Sequence, residues 1–217
     1  MTDILNPLAT LIASFGGAWA AFRLQAIEKS RDADRSNIAA LNRALMVMMQ
    51  QVNELKIYQK DHIDPQRNNP GRHLAILPTL PLDLESLRFD FKSLDFLSSA
   101  AEQQLLFELS IEERRYVESL KSINARSEVI LSEVQPVLMA AGFEDSVAYT
   151  DAQFIAALGQ PVYKKLQRLT DDVIRHVDLA SESICLMRDR FRAVALKRYP
   201  KAKLVNFEFI GNEQPSP

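Results

Sequence analysis

Residues 4–22 read ILNPLATLIASFGGAWAAF, a run of 19 residues without a charge, closed by Asp3 before it and Arg23 after it. At about 1.5 Å rise per residue, a helix of that length just crosses a hydrocarbon layer of roughly 30 Å. Asn6 offers an N-cap, and Pro7 suits the first helical position, where a missing N–H costs nothing. Two other readings compete with a transmembrane anchor. One is a buried or interfacial helix of a soluble fold. The other is a signal peptide cleaved at Ala18-Trp19-Ala20, against which the leading MTD is acidic where a leader is basic. Length and flanks favour the anchor, assigned to residues 1–23.

Ala9, Ala13, Gly17 and Ala21 recur every fourth residue and form one ridge of small side chains, the pattern by which transmembrane helices pack closely. No Lys or Arg precedes the stretch, whereas Arg23, Lys29, Arg31 and Arg35 follow it. The positive-inside rule then places the N-terminus outside and the body in the cytoplasm, at a plasma (inner) membrane.

Downstream, the apolar spacing is helical. Ile38, Leu41, Leu45, Met48, Val52 and Leu55 keep an unbroken 3,4 spacing, interrupted on the membrane side by Arg31 and Asp34. Residues 24–61 thus read as a stalk and first bundle helix. Residues 62–81, with four prolines and an Asn-Asn pair, read as an exposed irregular loop. In residues 82–97, rich in Leu and Phe, an extended entry precedes a short helix from Leu94, its aromatics closing the core. A second seam runs through Leu106, Leu109, Tyr116, Leu120, Ile123, Ile130, Val134 and Val137, with Glu113 and Ser127 as polar exceptions. Pro136 is expected to kink that helix and Gly142 to close it. Thr150 caps a short helix over 151–158, stopped by Gly159. A last long helix from Pro161 to Arg198 carries Leu169, Val173, Val177, Ala180, Ile184, Met187, Phe191 and Val194 on one face. Residues 82–203 complete the bundle, and 204–217 read as an extended, then disordered, tail.

The fold class is therefore all-α: an N-terminal transmembrane helix continuing into an elongated antiparallel bundle of three long helices plus short ones. A net charge of −2 excludes a global field that selects nucleic acid, so a nucleic-acid partner is not expected. The single cysteine, Cys185, excludes an intrachain disulfide framework.

No phosphate loop, dinucleotide fingerprint, zinc-protease or nucleophile-elbow motif is present. Asp61, His62, Asp64 and His73 are the nearest approach to a metal-ligand cluster, at spacings that match no metal frame. No cofactor or metal is expected, and no enzyme. His176 borders the apolar face of the last helix and reads as a boundary residue. Asn124, Arg126, Ser127 and Glu128 form a polar knot in an apolar helix, expected to fix register by hydrogen bonds across the bundle. The strongest charge cluster is Arg188, Arg190, Arg192, Lys197, Arg198, Lys201 and Lys203, opposed only by Asp189. It suits anionic lipid or phosphate, or simply complements the dipole of a helix C-terminus.

These features imply a single-pass membrane-tethered scaffold, adaptor or sensor subunit that binds an unidentified protein partner. The alternative is a membrane effector that self-associates through Ala9, Ala13, Gly17 and Ala21 as a homo-oligomer and permeabilises the bilayer.

Overall fold

The computed structural model describes residues 5–99, 102–144 and 147–206, with side chains described from Gly17 onward. Every regular element among them is helical: α1 (Leu5–Tyr58), α2 (Arg72–Ala75), α3 (Gln103–Val129), α4 (Gln135–Ala140), α5 (Asp151–Leu158) and α6 (Gln160–Arg198). The expected seams face inward. Leu41, Leu45, Met48, Val52 and Leu55 of α1 meet Leu109, Tyr116, Leu120 and Ile123 of α3 and Val173 through Phe191 of α6 in one continuous core.

Side-chain bonds along α6 fix the helix directions. Asn37 reaches Tyr199, Arg188 reaches Met49 and Gln59 reaches Asp178, so α1 and α6 are antiparallel. Arg198 reaches Glu102, Ser183 reaches Glu112 and Lys165 reaches Glu133, so α3 and α6 are antiparallel as well. It follows that α1 and α3 run parallel, a departure from a fully antiparallel bundle. Parallel neighbours require a crossover between them, and residues 64–102 supply it.

That crossover corrects the expected exposed loop. Ile63, His73 and Ile76 are buried, and the chain then returns as an extended strap beside α3. The residues that break the apolar pattern of α3 hold the strap. Ser127 Oγ accepts from Thr79 N–H, Glu113 accepts from Phe89 N–H, and Asn124 pairs with both backbone groups of Leu82 (2.8 and 3.0 Å). The strap ends in a 3₁₀ helix, Phe91–Leu97, capped by the Asp90 carboxylate, three residues before the expected start.

Both α1 and α3 end in a π-helical turn, Gln59–Ile63 and Ile130–Val134, and each turn is followed by a proline, Pro65 and Pro136. A proline ring clashes with the carbonyl four residues back, here that of Asp61 or Ser132, both inside the wider turn. The regular α-helix is thus interrupted ahead of Pro136, where a kink was expected, and resumes as the short α4 with the proline in its first turn. α5 begins as expected, with Thr150 and Gln153 in a reciprocal capping box, and Gly159 (φ +77°) separates it from α6.

The first half of α1 leaves the bundle. Residues 17–36 are exposed on all sides, including Trp19 (63%) and Phe22 (72%). Among the described residues, no helix is long and apolar enough to cross a membrane. Ile4 and the side chains through Gly16, with Ala9 and Ala13 among them, lie outside the described residues, as do Phe207 and the residues after it.

Asn124→Leu removes both bonds to Leu82 while keeping the volume. The variant is expected to lose about 1–2 kcal/mol of stability, read as a lower urea midpoint at unchanged slope.

Candidate functional site

The end of the bundle opposite the projecting half of α1 is a cap built from α2, the π turn of α3, α4, α5 and the start of α6. Its innermost group is Arg126, fully buried although it is a cation. Nε donates to Thr170 Oγ1 on α6 (2.9 Å), and Nη2 donates to the carbonyls of His73 (3.1 Å) and Ile76 (2.6 Å) at the end of α2. No carboxylate pairs with it. Helix-end carbonyls carry partial negative charge, so the cation is met by dipoles. Burial pulls the Arg126 guanidinium below its usual range and pushes the nearby Tyr58 hydroxyl up, an effect the Arg126 charge offsets in part. Of the expected polar knot, Arg126 alone bonds across to α6, Asn124 and Ser127 bond the crossover, and Glu128 is exposed.

His73 is held beside this group, its ring edge against Tyr163 with centroids 4.8 Å apart. Burial lowers the His73 pKa first of all. Asp151 and Asp171 work against that shift, while Arg126 and Arg72 reinforce it. Burial, with the Asp151 carboxylate, pushes the Tyr163 hydroxyl up to about 12.

Above His73 the cap encloses a half-open cavity of about 690 Å³. Its floor is aliphatic, from Ile130, Val134, Leu138 and Leu166. One wall is aromatic: Phe143 lies 4.3 Å from Tyr149 and 5.1 Å from Phe154, centroid to centroid. Tyr149 is fixed because its hydroxyl accepts from Glu144 N–H (3.0 Å), which sets the Glu144 carboxylate at the rim. Among the described residues, no Lys or Arg lines the cavity. Ile130 and Val134 are marked in the sequence only as seam residues, and no motif marks the aromatic wall. The three aromatics within twelve positions were the available signal, and they were hidden because the connection between α4 and α5 has no periodicity.

The structure disperses the other candidates. Asp64 pairs with Arg67, His62 stacks on Tyr58 and His73 faces Tyr163, and no group of three or more His, Cys, Asp or Glu that could hold a metal occurs among the described residues. Ser122 Oγ lies 2.7 Å from His176 Nδ1, but its own proton goes to the Glu118 carbonyl (2.8 Å). Ser122 thus accepts from the imidazole, the reverse of an activated nucleophile.

Within the basic cluster, Arg190 and Arg198 pair with Glu108 and Glu102 of α3, and Arg188 pairs with Asp189. Arg192 is half-buried, while Lys197, Lys201 and Lys203 are exposed and make no ion pair among the described residues. Gly17 and Ala21 are exposed, and a Cβ on Gly17 would meet nothing within 4 Å. No protein-family model, curated protein or solved structure matches the chain.

His73 takes a proton less readily folded than unfolded, so its contribution to stability is complete above the ordinary value of 6.5 and declines as pH falls below it. Urea midpoints at about pH 7.5 and about pH 5.5 test this: His73→Phe, which keeps the ring contact with Tyr163, is expected to lose less stability on acidification than the parent chain.

Proposed function

We propose that the chain is a membrane-tethered helical scaffold, adaptor or sensor subunit, its N-terminus outside and its body in the cytoplasm, acting through a protein partner. The observation that carries this reading is the course of α1. One uninterrupted helix, Leu5–Tyr58, is embedded in the bundle by its second half and bare along residues 17–36. Large bare aromatics on such a projecting helix favour another phase or partner. The Arg23 guanidinium lies over the Trp19 ring at 5.1 Å, an aromatic next to the first basic residue, as at a membrane interface.

Geometry argues against lipid contact by the basic cluster in this arrangement. Tyr199 meets α1 at Asn37, fifteen residues beyond Phe22, or about 22 Å along the helix. Charges that far from a bilayer are screened, since the Debye length is roughly 8 Å at physiological salt. Of that cluster, the exposed Lys197, Lys201 and Lys203 are better placed to meet phosphate or carboxylate groups of a partner, since Arg188 and Arg198 are engaged in ion pairs and Arg192 is half-buried.

A second reading is favoured by one feature. Gly17 and Ala21, the described half of the small-residue ridge, are exposed and have no packing partner among the described residues, as a face that meets another copy requires. A membrane effector would use it to self-associate and permeabilise the bilayer.

Carbonate and detergent extraction of membranes tests the tether. The chain is expected to stay in the carbonate-washed pellet and to dissolve only in detergent; release by carbonate would remove both membrane readings. Gly17→Leu separates the two. For a scaffold, partner recovery is unchanged, whereas an effector loses cross-linked oligomer and dye leakage from vesicles together.

A further inference from the structure

We propose that the cap cavity is a binding site for a lipophilic cation, a small molecule with an apolar body and an ammonium head. The argument rests on shape, lining and charge. A volume of about 690 Å³ is within the usual range for drug-sized ligands, and the aliphatic floor of Ile130, Val134 and Leu138 supplies the burial that such a body needs. This floor belongs to the smaller of the two core clusters, in which Leu138 and Phe154 remain only partly buried, so its packing is open on the cavity side.

The head is selected at the rim. Phe143, Tyr149 and Phe154 form a contiguous aromatic wall, and aromatic faces attract cations through their quadrupole. Glu144, whose N–H donates to Tyr149, belongs to the same lining, exposed and in no ion pair among the described residues. No cationic side chain of the lining competes with a bound ammonium, because Lys and Arg are absent there and burial keeps His73 neutral near pH 7. An anionic head would meet Glu144 without a compensating charge. The site lies at the opposite end of the bundle from Trp19 and Phe22, so the inference stands whether or not α1 enters a membrane.

The probes are N,N,N-trimethyl-1-adamantylammonium and 1-adamantanecarboxylate, which share one apolar cage and differ in the sign of the head. Both are titrated calorimetrically into the full chain in a single preparation. The cation is expected to bind about tenfold more tightly than the carboxylate, and Glu144→Gln to weaken the cation about fivefold, in line with a cation held by aromatics and one carboxylate. Leu138→Trp, which fills the cavity, is expected to abolish binding of both, with retained helicity checked by circular dichroism. Glu144→Gln is on the exposed rim and keeps the test independent of folding. Equal affinity for the two ions, an unchanged cation affinity in Glu144→Gln, or no binding of the cation at millimolar concentration each overturns the proposal.

Discussion

A guanidinium cannot be buried without compensation, since leaving a charge without partners in a low-dielectric interior costs several kcal/mol. In this fold that compensation comes from the backbone. Arg126 donates to the carbonyls of His73 and Ile76 and to the hydroxyl of Thr170, so one side chain joins α3, the end of α2 and α6. A helix of four residues has no stability of its own, because nucleation is unfavourable and no propagation repays it. α2 persists because Arg126 satisfies its terminal carbonyls and because His73 is wedged against Tyr163. With α2 held there, the strap starts at a fixed point and meets Ser127, Asn124 and Glu113 in order down α3. The parallel placement of α1 and α3 follows from that path.

The long helices were legible because burial along a 3.6-residue period leaves a direct mark on composition. The seams of α1, α3 and α6 face the core almost as written, and Thr150 caps α5 as the sequence indicates. Glu113 and Ser127 were legible as exceptions but not in meaning. Their partners, Phe89 and Thr79, lie in a segment without periodicity, and nothing local says which distant backbone a polar side chain will satisfy. The misreading of 62–81 has the same origin. Proline and asparagine mark a chain that turns, but not whether the turns are packed, and here Ile63, His73 and Ile76 are sealed under α3 and α6. The cavity was illegible for a related reason, since its aromatic wall comes from the connection before α5 and from α5 itself, and its floor from the π turn, α4 and α6.

Two prolines shape the cap from both sides. A strict α-helix would have stopped or kinked at Pro65 and Pro136. A π turn precedes each of them; at Pro65 the helix then ends in a 3₁₀ turn, Asp64–Gln66, whereas at Pro136 it resumes as α4. After Ile130–Val134 the apolar face of α3 no longer points into the main core. Ile130 and Val134 join a separate, smaller cluster with Leu158, Tyr163 and Leu166. An apolar lining without partner atoms loses dispersion contacts, so this cluster contributes less per residue than the main core. The cap is thereby the softer end of the rod, the kind of region from which binding sites are drawn.

That softness is bounded by Asp178. Its carboxylate takes two bonds from Arg67 (2.7 and 2.9 Å) and one from Gln59 (3.1 Å), which fastens both the end of α1 and the start of the crossover to α6. The pair is only a third exposed and bidentate, a geometry that holds orientation better than an isolated surface ion pair. Opening of the cap is thus confined to the elements beyond this clamp, namely α2, α4, α5 and the first turns of α6. From Asp178 toward the N-terminus, α1 lies in a closely packed core as far as Ala40, and such cores deform little.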